Sequence, residues 1–517
     1  MSADEVVTDY RRRIKLHAYR SGRFCQAPVV CPTGMYDAII PQPGEDLRTS
    51  LRHRAGLRVA ATVFAGGSAM PEQQDKYHSY ALVLLVMGAL VRLLLMTWLR
   101  PFASFNPFMA PSYIVAAQDT LLLNFHALGD RAPVYPLWVV LCGLNPRTIW
   151  VAQSILGVAA SLMIFDMALR RTRHGLCSLL VGLTCSLIPE VLIYESLVMA
   201  ETLTNFFLVT SLWLITRYGG AGESNIRYPL GLSSIVALAG LTRPLMICLV
   251  PVYYCFLVPP WPPAKILRRE AIKRTAFFAL PVSVFILGWC GFNYFNNGYF
   301  TPTTRAGQQL MDQVDPYVDL APDRFAEARD IWLQFRRKAL THPYGTVEDV
   351  YESVLPEMER RTGKTDSQVS HEFASLALYL EIHHPLLCLR RAEQGWMQFW
   401  AEPGPSEVEW ARGGKLRLNE FLMPMANFLA GKTKAAFLVL ALLSIPCALF
   451  GLKAFTKIEY LIFAIALWMS VFAAFTEFGQ NRRFCVPLYM LMMYTLLTRI
   501  WMWITATSSK GPGAASD

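Results

Sequence analysis

Charged residues are scarce in this sequence: they make up 17% of its 517 residues, against 54% apolar and 12% aromatic. That balance excludes an ordinary soluble domain. The apolar runs are nearly free of charge apart from Asp166 near an inner end, which argues against a transporter that moves ions through paired ionisable groups. No internal repeat is evident either, so a transporter of duplicated halves finds no support. No apolar core lies near Met1, and a cleavable signal peptide is not expected. The eleven cysteines are scattered, and Cys177, Cys185, Cys248 and Cys290 sit inside apolar runs, where cysteine behaves as a small hydrophobe. Cys25 and Cys31 form no metal-binding pattern, so neither a disulfide framework nor a zinc site is expected. His383 and His384 are adjacent and point to different helix faces, which makes them poor joint ligands; no metal site is expected.

What is present is a succession of long apolar runs. A stretch of about 20 apolar residues spans the ~30 Å hydrocarbon layer, and about ten runs qualify: 80–99, 148–169, 176–189, 199–215, 230–241, 245–258, 277–292, 435–452, 460–475 and 486–498. The expected fold class is an all-α polytopic membrane protein with an external, mainly helical domain. The net charge of +10 does not point to nucleic acid. The basic residues cluster beside apolar spans, as in Arg170, Arg171, Arg173 or Lys265, Arg268, Arg269, Lys273, Arg274, where cytoplasmic retention and anionic lipid explain them. The expected organisation is a polar cytoplasmic segment over 1–75 with the Arg11, Arg12, Arg13 run, and a transmembrane module over 76–300. An outer helical domain follows over 301–431, ending in an interfacial helix rich in Trp and Arg; closing spans cover 432–503, and a cytoplasmic tail covers 504–517. The HHP string is expected to close a helix before Pro385.

The chemistry-bearing strings fall in the outer loops. RAPVYPLW runs from Arg131 to Trp138; taken alone it reads either as a proline-rich entry to a helix with an interfacial arginine, or as a re-entrant or broken helix fixed by Pro133 and Pro136 with Arg131 at its outer mouth. LTRPLM carries Arg243, FNYFNNGYFTPTTRAG carries Asn293 and Arg305, and GQNRRFCVPLY carries Arg482 and Arg483. Arginines gathered at one membrane face suit a lipid-linked phosphate.

Taken in order, these elements resemble the GT-C type integral-membrane glycosyltransferases, and glycosyltransferase family 39 in particular, with its protein O-mannosyltransferases and lipid A aminoarabinose transferases. The resembling elements are Pro-Tyr-Pro after an outer arginine, the Glu of MAETLTNFFL, the TRP triplet, the Asn-aromatic-Gly turn and the Arg-aromatic-x-Pro element. The resemblance covers about residues 80–499. It implies transfer of a sugar from a polyprenyl or dolichyl phosphate to an acceptor hydroxyl on a protein, glycan or lipid, at the outer or luminal face. The expected setting is a multi-pass protein among membrane lipids, in the bacterial inner membrane with its site facing the periplasm or in the endoplasmic reticulum. The absence of a retention signal and the divergence from the eukaryotic pattern favour the bacterial one, and the placement of the basic residues leaves no nucleic-acid partner expected. The lipid phosphate takes the place of a nucleotide, in keeping with the missing glycine loop, and no separate cofactor is expected. By the same resemblance Arg131, Tyr135, Tyr113, Arg243, Asn293, Arg305, Arg482 and Arg483 are the substrate-binding candidates.

Two departures mark this chain. Relatives carry an acidic base a few positions before the Tyr of the first outer loop, whereas here Met109 and Ala110 precede Tyr113. The remaining carboxylates considered for catalysis are Glu201, Asp119 and Asp130. Asp119 lies six residues after Tyr113, on a different helix face. The second departure is Phe292 before Asn293, where many relatives place an arginine. The leading reading is therefore a lipid-phosphate-dependent glycosyltransferase. The alternatives are a catalytically lapsed relative that binds lipid-linked sugar, and a transporter or flippase of lipid carriers.

Overall fold

The computed structural model describes residues 71–98, 110–124, 129, 131–219, 227–258, 268–340, 347–401, 418–479 and 481–508. The N-terminal segment, with Cys25, Cys31 and the Arg11 to Arg13 run, lies outside the described residues, as do Met109, Asp130 and the tail beyond residue 508. Of residues 1–78, which form a unit of their own, only the start of the first helix is described.

Among the described residues the secondary structure is helical, with no strand. The first half holds α1 (Pro71–Trp98), α2 (Ala110–Leu121), α3 (Val134–Leu141), α4 (Pro146–Thr172), α5 (Gly175–Ser186), α6 (Pro189–Ser196), α7 (Glu201–Tyr218) and α8 (Arg227–Thr242). A 3₁₀ turn, Pro244–Leu249, leads into α9 (Val250–Leu257), then α10 (Arg268–Val282), a π turn at Ser283–Leu287 and α11 (Gly288–Asn297). The outer part contains α12 (Ala306–Val314), α13 (Ala326–Leu340), α14 (Val347–Thr362), α15 (Asp366–His383) and α16 (Pro385–Trp400). The chain closes with α17 (Leu418–Leu449), α18 (Lys457–Thr476), α19 (Asn481–Phe484) and α20 (Tyr489–Ser508).

Local chemistry sets the helix ends. Asn145 caps α4, accepting from the Arg147 backbone N–H, with Pro146 in the first turn, where proline costs no hydrogen bond. Thr456 and Glu459 form a reciprocal capping box at the start of α18, as Thr365 and Gln368 do for α15. His384 separates α15 from α16, and Pro385 opens the new helix.

Six of the described helices are long and apolar enough to cross a membrane, and the pair α5 and α6, bent by 48°, makes a seventh. This is a multi-pass membrane protein. Three of the ten expected stretches are not spans: 230–241 falls in the 16-residue α8 and 245–258 in the shorter apolar stretch Pro244–Leu257, both too short, and the third has a packing reason. The stretch 199–215 becomes α7, whose polar Thr202, Thr204, Asn205, Thr210 and Ser211 are buried among neighbouring helices instead of facing lipid. A helix walled by protein needs less hydropathy than one bathed in lipid. The stretch 176–215 is therefore a bent helix pair plus an interior helix, not two straight spans.

Several buried charges in the bundle are paired. Arg92 of α1, only 3% exposed, holds Glu195 of α6 through Nε at 2.7 Å and Nη2 at 2.6 Å. At one end of the bundle Asp166 of α4 accepts from Trp213 Nε1 at 2.8 Å and from Arg170 at 3.1 Å, with Arg217 at 3.9 Å. Glu459 of α18 binds Arg499 at 2.8 Å and Arg171 at 3.6 Å beside it. Glu201 starts α7 and Arg217 lies in its last turn, so the sixteen-residue rise of 1.5 Å per residue puts a second polar layer ~24 Å away.

The outer helices α12 to α15 have a core of their own. Trp332 stands edge-on to Phe373 at 5.5 Å and donates through Nε1 to Asp315 at 2.8 Å. On α15, burial pushes the Glu381 carboxyl up to about 7. The folded domain thus holds this proton more tightly than the unfolded chain does. The stability it contributes is fully present below the ordinary carboxylate value and is lost as pH rises through about 7. Glu381→Gln is expected to remove that loss, so the Tm of the variant gains on wild type between pH 4.5 and pH 8; a difference independent of pH would refute it.

Candidate functional site

The second polar layer borders a cavity of about 430 Å³ whose wall includes Tyr113, Arg131, Arg243, Arg305 and Arg483, with the carboxylates of Asp312 and Glu477. Ile247, Phe472 and Phe484 supply apolar wall. Four guanidiniums and two carboxylates thus meet in a part-apolar chamber.

Each arginine is placed by a local rule. Arg243 precedes Pro244, and a residue before proline is pushed out of the helical region; its φ of −147° and ψ of 114° end α8 and turn its side chain off the helix. Its guanidinium lies over the Phe484 ring at 4.2 Å and donates to Glu201 Oε1 at 3.0 Å. Arg483 comes from the single turn α19 and also donates to Glu201 Oε1. Glu201 is in the first turn of α7, where the helix dipole favours a carboxylate, and its side chain is fully buried. One carboxylate therefore orients two cations.

Arg131 lies over the Tyr113 ring at 4.9 Å and donates to Ser112 Oγ at 2.9 Å. Tyr113 packs edge-on against Tyr135 at 4.7 Å. The Tyr135 hydroxyl donates to Gln153 at 2.9 Å, and Gln153 donates to the backbone carbonyls of Glu195 and Leu197 at 2.8 and 2.7 Å. The Arg92–Glu195 pair is thereby linked to the arginine at the cavity mouth. Arg305 stands at the start of α12, its backbone N–H donating to Thr303 Oγ1 at 3.2 Å.

The structure brings Tyr113, Arg131, Arg243, Arg305 and Arg483 to one cavity. Tyr135 stands behind Tyr113. Asn293 is fully buried and donates to the Thr301 carbonyl at 2.7 Å, closing the turn at Gly298, whose φ of 80° suits glycine. Arg482 is half-buried outside the cavity wall. Of the carboxylates considered from sequence, Glu201 lies behind the wall between Arg243 and Arg483, and Asp119 accepts from Asn124 at 3.1 Å away from the cavity. Asp130 is outside the described residues. Sequence reading passes over Asp312 and Glu477; the signal for Glu477 is its place six positions before Arg483 in one outer loop. It also passes over Arg92, although an arginine inside an apolar run calls for a partner.

No family model and no curated relative matches the chain. Among solved structures, the archaeal oligosaccharyltransferase AglB from Archaeoglobus fulgidus, in complex with an inhibitory peptide and a dolichol-phosphate, is similar at 14% identity with a TM-score of 0.40. The match covers 85% of this chain and 52% of that one, so this chain spans about half its length.

Removing the shared counter-ion strands two buried cations. Glu201→Gln is expected to destabilise the protein by about 3–5 kcal/mol, read as a lowered Tm in nanodiscs. Glu201→Gln combined with Arg243→Met should recover part of the loss. Additive effects would show that Glu201 and Arg243 do not act as a pair.

Proposed function

We propose that this chain is an integral-membrane glycosyltransferase that moves a sugar from a polyprenyl- or dolichyl-phosphate carrier to an acceptor hydroxyl. The observation that carries the proposal is the convergence of Arg131, Arg243, Arg305 and Arg483 on one cavity with apolar wall at Ile247 and Phe472. Phosphate and lipid tail are the two chemistries such a chamber accommodates.

Charge arithmetic gives the arginines a catalytic part. The donor is a phosphodiester with one negative charge, and breaking the sugar–phosphate bond leaves a monoester that carries up to two. Fixed guanidiniums hold the departing group more strongly than the bound donor, which lowers the barrier and not only KM. Because Glu201 orients Arg243 and Arg483 in advance, little reorganisation is required when that charge develops.

The two polar layers support a sidedness for the site. The Asp166 and Glu459 clusters gather Arg170, Arg171, Arg217 and Arg499 at the end that the positive-inside rule assigns to the cytoplasm. The cavity end then faces the outer or luminal side, the periplasm in a bacterium. Helix α12 supplies Gln308, Gln309 and Asp312 to the cavity wall, so an acceptor, whether protein, glycan or lipid, meets the external domain on its way in.

The test is transfer of radiolabelled sugar from a panel of synthetic polyprenyl-phosphate sugars by the purified protein in nanodiscs. Arg131 and Arg305 are the informative positions because neither pairs with Glu201. Alanine at either is expected to cut kcat/KM by about ten- to a hundredfold. Neither binding nor turnover across the panel would sink the proposal.

A further inference from the structure

We propose that Glu477 is the general base of this transfer, an assignment that rests on the glycosyltransferase reading above. The carboxylate expected in the first outer loop is replaced by Met109 and Ala110, and the acceptor hydroxyl needs a base from elsewhere. Three other described carboxylates come into question. Glu201 is committed to two guanidiniums, which makes it a weak base, and protonating it would release both arginines. Asp119 is outside the cavity wall. Asp312 is also in the wall, on a turn of α12 tied to Arg391, whose guanidinium donates to the Asp312 backbone carbonyl at 3.2 Å, and it is the competitor against which Glu477 is tested.

Glu477 is both in the wall and held from several directions. As the residue that ends α18, it has extended backbone, φ −153° and ψ 149°, which swings its side chain off the helix. Its N–H donates to Ala473 at 3.1 Å and its carbonyl accepts from Asn481 Nδ2 at 3.0 Å. Asn481 packs on Gly395 of α16, where a Cβ would stand 2.7 Å from Asn481 Nδ2, so only glycine leaves room. The next residue, Phe478, lies beneath the Arg391 guanidinium at 3.0 Å, and Gly479 takes a φ of 101°. Gln309 of α12 reaches the carboxylate at 3.4 Å, and Arg243 feels its charge. Glu477 lies six positions before the clamp residue Arg483 in the sequence, and both line the same cavity.

In the step, the acceptor oxygen forms its bond to the anomeric carbon as its proton passes to a Glu477 carboxylate oxygen. The bond from the anomeric carbon to the phosphate oxygen breaks, and its electron pair stays on the phosphate, facing Arg243 and Arg483. The polyprenyl phosphate leaves, and Glu477 returns its proton to water.

The experiment uses the full-length protein in nanodiscs with the donor that wild type turns over, comparing Glu477→Gln, Glu477→Asp and Asp312→Asn. Binding of unlabelled polyprenyl phosphate and the Tm monitor folding and the phosphate clamp. Glu477→Gln is expected to lower kcat by about 10²–10⁴-fold with polyprenyl-phosphate binding within about threefold of wild type, and to lose the acidic limb of the kcat–pH profile. Glu477→Asp should restore part of the rate and that limb, while Asp312→Asn stays within about tenfold of wild type. A Glu477→Gln enzyme that binds and turns over like wild type, or a loss confined to Asp312→Asn, overturns the assignment alone. Absence of both turnover and polyprenyl-phosphate binding in wild type overturns the transferase reading and the assignment with it.

Discussion

The candidate site depends on one carboxylate placed between two guanidiniums. Glu201, Arg243 and Arg483 are separated by 42 and 282 positions in the chain, yet at the membrane boundary none of these charges is tolerable alone. Their meeting draws together the start of α7, the end of α8 and the single turn α19. A neutral contact would join these elements as well; the ionic one also fixes the direction in which two arginines present their remaining N–H groups. Stability and preorganisation therefore share the same atoms here.

The rest of the bundle is organised as two charged layers joined by uncharged helix. Helix α7 makes the point in miniature, with Glu201 at one end and Arg217 at the other. Its eighteen residues measure ~27 Å, close to the hydrocarbon thickness. One layer neutralises Asp166 and Glu459 with surplus arginine, whereas the other aims surplus arginine into a cavity.

Much of this was legible in the sequence, and the limits have physical causes. Apolar run length identified a polytopic helical protein, and the TRP string marked Arg243 because proline's effect on the preceding residue is local. Run length does not report bends, so the break at Leu187 and Ile188 and the interior setting of α7 escaped notice and inflated the number of spans. Pairings such as Arg92 with Glu195 join positions 103 residues apart, and nothing in either local string names the partner. Glu477 was passed over for a different reason: its loop was read for cations, and a carboxylate beside them looked like ordinary solvated surface. The turn at Asn293 carries a motif whose visible work here is closing its own backbone.

Helix α12 serves two masters. Met311 and Val314 anchor the outer core, while Gln308, Gln309 and Asp312 face the cavity and Gln313 donates to Ala474 of α18 at 3.0 Å. The helical domain that begins with α12 is therefore not an appendage hinged on a finished membrane bundle, because its first helix is masonry in the chamber itself. A change in what the chamber admits would rewrite Gln308, Gln309 and Asp312 on one short helix, while Met311 and Val314, bound to the core beside it, stayed fixed. A domain graft that moved the boundary past residue 306 would take part of the chamber with it.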